Sequence, residues 1–144
     1  MVAVHLVLGV GVLLLSLVAG VWGGIAWFRQ QASIYFWYWL RAAQAAVAIQ
    51  VLLGTLLVFL GHDAGDRLHY LYGALPLVVS LLAEGARAGA AAQELGETDF
   101  DELPPERQRL LALAIVRRET GIMALSCIVI FFLALRAAAT SPKF

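Results

Sequence analysis

The chain has 144 residues, 62% of them hydrophobic, and a formal net charge of zero. A soluble domain is nearer about 45–50% apolar, and a neutral charge balance gives no basis for a nucleic-acid partner. The single cysteine, Cys127, excludes an intrachain disulfide.

Residues 6–28 contain no Asp, Glu, Lys, Arg or His. A hydrocarbon core about 30 Å thick takes roughly 20 helical residues, so this run predicts a transmembrane helix over about 4–28. No Lys or Arg precedes it, and it is too long for a signal core, so a cleaved signal peptide is not expected. RQQASIYFWYW follows. Its cluster of Tyr35, Phe36, Trp37, Tyr38 and Trp39 reads as an interfacial aromatic belt, together with Trp22 and Trp27.

The uncharged run 42–61 predicts a second helix over about 40–61. GHDAGDR (61–67) is a turn short enough to make the second and third helices antiparallel neighbours. The third helix is expected over about 68–89, with Glu84 at or inside the membrane boundary. Pro76 should bend it and free a carbonyl near Tyr72. The polar stretch QELGETDFDELPPERQR (93–109) lacks the spacing of a calcium loop and reads as a solvated connection. Pro104 and Pro105 mark the start of the fourth helical pattern, whose spanning part covers about 112–136. The fold class is therefore all-α: a single domain over 1–144, an integral-membrane, up-down four-helix bundle.

Arginine and lysine set the orientation. The first and third loops and their flanks carry Arg29, Arg41, Arg87, Arg107, Arg109, Arg117 and Arg118; the opposite side carries only Arg67, Arg136 and Lys143. The first group is expected inside. Both termini and the GHDAGDR turn then face outward, in a multi-pass protein of the cell membrane. All three histidines, His5, His62 and His69, fall on the outer side.

His5 and His69 each sit within about one turn of the outer end of helices that run in the same direction. They share one membrane depth, and the first and third helices of such a bundle are diagonal neighbours. A diagonal pair of imidazoles at one level can supply both axial ligands to an iron porphyrin in the bundle core. Gly9 and Gly73 each lie four residues beyond a histidine and share its helix face. The missing side chains leave room for a flat macrocycle. Two plainer readings stand beside this one: histidines that snorkel to headgroups, and glycines that serve helix packing, as the Gly20 to Gly24 spacing does.

QVLLGTLLVFLGHDAGDRLHYLYGALPLVVSLL (50–82) resembles part of the heme A synthase family, which is built from two similar four-helix halves. Gln50 and Gly54 match its Gln-x-x-x-Gly helix; the GHDAGDR turn and His69 match the histidine helix that follows. HLVLGVGVLLLSLVAG resembles the earlier histidine helix, with His5 at the ligand position. Helices one to three of this chain resemble helices two to four of one such half, and the fourth helix would stand in for the missing bundle member. The resemblance implies a heme-holding bundle with His5 and His69 as metal ligands near the outer face. Leu6 stands where the family has a basic residue, and the family's catalytic glutamate has no counterpart before His5. The resemblance therefore does not carry over oxidation of a heme methyl group, and no catalytic residue is assigned.

Arg67 precedes His69 in the outer turn. It is placed either to pair with a heme propionate or to form an interfacial ion pair with Asp63 or Asp66. His62 is a second candidate for a propionate, and Tyr70 and Tyr72 read as part of the outer belt. Gln50 is expected near mid-membrane, bonded to a neighbouring helix. Arg41, Gln44, Glu84, Arg87, Arg117, Arg118 and Glu119 gather toward the inner face. Glu84 lies roughly 22 Å along the helix from His69, out of reach of any iron there. Charged groups at membrane depth pair with one another, so an ion-pair network is expected, with Arg41 or Arg118 as partner of Glu84.

Together these residues predict a small membrane bundle holding a b-type heme, for electron transfer or heme handling near cytochrome assembly. Its partners would be the lipid bilayer, the heme, and a second copy or a larger membrane complex. Alternative readings are a cofactor-free accessory or scaffold subunit, and a binder of quinone or lipid near the inner polar set.

Overall fold

The computed structural model describes residues 1–97 and 99–140. Lys143, counted above among the outer charges, lies outside them. Four helices account for most of the chain: α1 (Val2–Phe28), α2 (Ile34–Phe59), α3 (Arg67–Leu95) and α4 (Pro105–Ala139), with a 3-10 turn at Phe100–Glu102 before α4. There is no strand among the described residues. Each of the four helices is long and apolar enough to cross a membrane.

The helices are longer than the hydrophobic pattern predicts. α2 begins at Ile34 rather than near residue 40. Ser33 is its N-cap, accepting the Phe36 N–H at 3.4 Å, and the Trp22 indole donates to the same hydroxyl at 3.0 Å. Two helices are thereby joined at the cap. The aromatic cluster lies inside this first stretch of α2. Phe36 and Leu40, four residues apart on one face, are fully buried, whereas Tyr35 and Tyr38 point outward. α3 starts from an Asp66 cap on the Leu68 N–H at 2.8 Å and continues through Pro76 to Leu95. Pro105 occupies the first turn of α4, where its missing N–H costs no helical bond.

α4 packs along both α1 and α3, and α1 packs along α2. α2 and α3 touch less, so the bundle is a ring in the order α2, α1, α4, α3, with α1 and α3 on one diagonal. Close approach of α1, α2 and α4 depends on Gly23. A side chain there would collide with the Phe36 ring and with Ala124. One buried cluster, including Ala19, Phe36, Leu40, Met123 and Cys127, fills the half of the bundle near the first and third loops. A second, of Val12, Ala46, Val47 and Ile130, fills the half near the termini. Large apolar side chains cover the outside: Leu52, Leu125 and Phe132 are 69%, 66% and 61% exposed.

Candidate functional site

α1 and α3 bring His5 and His69 together at the end of the bundle that carries the termini and the 60–66 turn. Their ring centroids are 6.2 Å apart, and the ring planes are inclined by 61°. The residues are 64 positions apart in sequence, and no other pair of described histidines is in ring contact. The two rings are held in different ways.

His69 is held by α4. Its Nδ1 lies 3.0 Å from the carbonyl oxygen of Ala137, a buried residue in the last turn of that helix. Carbonyls of a last turn lack intrahelical donors, and the Ala137 oxygen also accepts from the Thr140 hydroxyl at 2.9 Å. A carbonyl can only accept, so the proton of a neutral His69 is assigned to Nδ1 and the lone pair to Nε2. This is the usual outer partner of a metal-binding histidine. It is equally a helix C-cap.

His5 is held by α2. Gly54 forms its floor: a Cβ there would lie 3.0 Å from His5 Cε1. The Gln50 amide nitrogen lies 3.2 Å from His5 Nε2. His5 Nδ1 and Gln50 Oε1 are both buried with no hydrogen-bond partner among the described residues. Native interiors rarely leave such atoms unpaired; Ser16 Oγ, in the other half of the bundle, is left the same way. Gln50 thus bonds to a neighbouring helix, as its sequence position suggested, but at the level of the histidines rather than at mid-membrane.

The two glycines differ. The space beside Gly9 is taken by the Gln50 amide, which a Cβ would approach to 3.1 Å; the space beside Gly73 is open. Arg67 is exposed, and among the described residues no ion pair joins it to Asp63 or Asp66. Those carboxylates serve the backbone instead. Asp66 caps α3, and Asp63 accepts the Gly65 N–H and the Tyr70 hydroxyl, each at 2.9 Å. These donors, the backbone N–H foremost, hold the Asp63 carboxyl below its usual range. Tyr72 lies under the Arg136 guanidinium, 5.8 Å from its ring centroid.

The second polar set lies at the opposite end. Glu84 accepts from Arg41 at 2.5 Å and Gln44 at 2.8 Å, both on α2, and from Arg87 at 2.9 Å. Arg87 reaches Glu119 of α4 at 3.6 Å and stands over the Trp37 ring. Arg118 pairs with Glu94 and Gln93 rather than with Glu84. α3 runs beyond residue 89, which brings Glu94 alongside it. An open groove of about 510 Å³ runs between α1 and α4 past Gly24, Phe28, Gly121 and Leu125. It lies away from both histidines.

No group of three or more His, Cys, Asp or Glu side chains is gathered for a metal among the described residues. The histidine pair is thus short of a complete metal-ligand set on its own among the described residues. No family model, curated protein or solved structure matches this chain.

Proposed function

We propose that the chain is a multi-pass protein of the cell membrane that binds a b-type heme through His5 and His69. The spacing of the two rings carries this reading. Two Fe–N bonds of about 2 Å set coordinating nitrogens roughly 4 Å apart; the half-width of each five-membered ring then puts the centroids roughly 6 Å apart. The observed separation is 6.2 Å. A heme would bring its own four nitrogen donors, so it would suit a site that offers only the His5 and His69 imidazoles. The buried orphan atoms of His5 and Gln50 and the open side of Gly73 also favour a guest in this end of the bundle.

A heme held this way would supply one-electron transfer at its iron. The residues divide the remaining work. His5 and His69 bind from opposite walls. Ala137 and Gln50 orient the rings. Arg67, exposed beside the site, faces the headgroup layer, where it would pair with a propionate. Exposed apolar side chains on all four helices support a lipid environment, and the arginine distribution supports termini on the outer side. The role we propose for such a protein is electron transfer or heme handling in cytochrome assembly, alone, as a homodimer or within a larger membrane complex.

Colour tests the reading. The protein purified from heme-supplied cells should show a Soret band and, on reduction, a sharp alpha band. His5→Ala and His69→Ala should each abolish or shift them. A colourless protein that takes up no added hemin would overturn the proposal.

A second reading is a cofactor-free scaffold subunit. The complete pairing of the Glu84 network and the helix-capping bond of His69 favour it, since both hold without a guest. It leaves the orphan atoms at His5 and Gln50 without a purpose.

A further inference from the structure

The groove between α1 and α4 lies in the half of the bundle that carries the first and third loops. Glycines shape it. Gly20 lets Ile128 sit directly on α1, since a Cβ there would collide with the Ile128 side chain. Gly121 does the same for the Trp27 indole, whose Nε1 would lie 2.9 Å from an added Cβ. Gly24 also lines the groove, but a Cβ there would meet nothing within 4 Å, so the floor is open at that point. Phe28 and Leu125 form walls and are 80% and 66% exposed. Between Gly20 and Phe28 the groove follows α1 for about 12 Å at the rise of a helix. One leaflet of a hydrocarbon core is about 15 Å thick, so the groove runs most of the depth of one leaflet.

The end of the groove near the first loop is basic. Arg118 lines it, but its charge is already matched: it donates to Glu94 at 3.0 Å and to Gln93 at 2.7 Å. Arg29 follows Phe28 directly. Arg117 precedes Arg118 and lines a small recess that Trp27 also borders. Both are exposed, and no ion pair joins either to a carboxylate among the described residues. An apolar slot that ends beside two such cations is complementary to an amphiphile with a hydrocarbon chain and an anionic head. A second copy of the chain fits less well. Two copies inserted in the same direction are related by an axis along the membrane normal, so each residue faces the other copy at its own depth. Arg29 and Arg117 of both copies would then crowd together, and like charges across an interface are costly.

We propose that the groove seats an acyl chain of a phospholipid with an anionic headgroup, in the leaflet on the side of the first and third loops. The acyl chain lies over Gly24, between Phe28 and Leu125. The phosphate is matched by Arg29 and Arg117 through charge-assisted hydrogen bonds. The inference rests on the membrane reading of the four helices and is independent of heme, because the groove lies away from His5 and His69.

Native mass spectrometry of the full chain in detergent micelles tests this. The probes are dioleoyl phosphatidylglycerol, dioleoyl phosphatidylcholine and inorganic phosphate; the two lipids share their acyl chains and differ in net headgroup charge. Phosphatidylglycerol should bind about 10- to 30-fold tighter, the preference that two basic residues give an anionic headgroup. Arg29→Gln with Arg117→Gln should abolish the preference and leave phosphatidylcholine binding as it was. Gly24→Leu fills the floor and should weaken both lipids about 10-fold, as lost burial of two methylene groups does. Gly11→Leu, on the same helix and equally open, should change neither. Inorganic phosphate should displace neither lipid. Equal affinity for the two lipids in the native chain would overturn the proposal. So would unchanged lipid binding in Gly24→Leu with helix content intact by circular dichroism. Displacement by inorganic phosphate would show a plain anion site, and a dimer lost in Gly24→Leu would give the groove to a second copy; either result also overturns it.

Discussion

Arg41 of α2 and Glu84 of α3 form a 2.5 Å ion pair across the one helix interface that is otherwise sparsely packed. Glu84 also accepts from Gln44 and Arg87, so one carboxylate collects three donors from two helices. That carboxylate ties α2 to α3 at this end, beside the buried cluster that joins Phe36 and Leu40 to Ala83.

Glu84→Gln should therefore destabilise the bundle more than an ordinary surface change. Arg41 is half exposed and Glu84 is 28% exposed, so solvent screening reduces the loss well below that of a fully buried pair. About 1–2 kcal/mol is expected, from weakened hydrogen bonds to a charged group, read as a drop of a few degrees in the melting temperature in detergent. Arg41→Met should cost less, because Gln44 and Arg87 remain on Glu84. Equal stability of Glu84→Gln and the native chain would show that the network is incidental.

Much of this was legible in the sequence. Run length gave four helices, and co-directional helices gave two histidines at one depth. The pairing of Arg41 with Glu84 is legible in the sequence because both lie near the charged end of an apolar run. What was illegible has physical causes. The start of α2 was hidden because aromatic residues suit an interface and a helix face equally well. The partner of Arg118 was missed because α3 continues past its apolar part to Glu94. The Ala137 carbonyl has no signature at all, since every residue carries a backbone acceptor. Gln50 and Gly54 stood out as a motif, but spacing alone did not show that they form the seat of His5.

Asp63 gives a pH prediction for the outer turn. Its carboxylate accepts from the Gly65 N–H and the Tyr70 hydroxyl, which lowers its pKa in the folded chain. A depressed carboxyl stabilises the fold above its unfolded pKa, near 3.8. That contribution is lost as pH falls through the lower folded value. The turn should thus hold at neutral pH and loosen only in stronger acid. Tyr70→Phe removes one donor and should raise the Asp63 pKa toward the ordinary range, as followed by carboxyl NMR shifts. No movement on Tyr70→Phe would mean that the backbone N–H alone sets it.

Gly54→Ala tests the floor of the histidine site. The new methyl would lie 3.0 Å from His5 Cε1, closer than carbon atoms tolerate, so the ring must shift by a few tenths of an ångström. If His5 binds hemin, affinity should fall about 10-fold or more, since ligand geometry is held to within about 0.5 Å in a working site. Gly11→Ala is the control. It lies on α1 with nothing within 4 Å of its added methyl, and hemin affinity should stay at the native value. Equal loss in both variants would point to general helix damage rather than to a displaced ligand.

Orientation is testable with single thiols. The native Cys127 is buried in the bundle, so an added surface cysteine can be read against a quiet background. His62 lies exposed in the turn beside the histidine pair, and Glu102 lies exposed in the polar connection before α4. The excess of arginine near the first and third loops predicts that those loops lie inside. His62→Cys should then react with a membrane-impermeant maleimide on intact cells, whereas Glu102→Cys should react only after permeabilisation. The same experiment bears on the cofactor. If heme is bound as proposed, histidines on the outer side would put its iron within reach of a redox partner outside the membrane. Labelling of Glu102→Cys on intact cells, with His62→Cys protected, would reverse the orientation and move that partner to the cytoplasmic face.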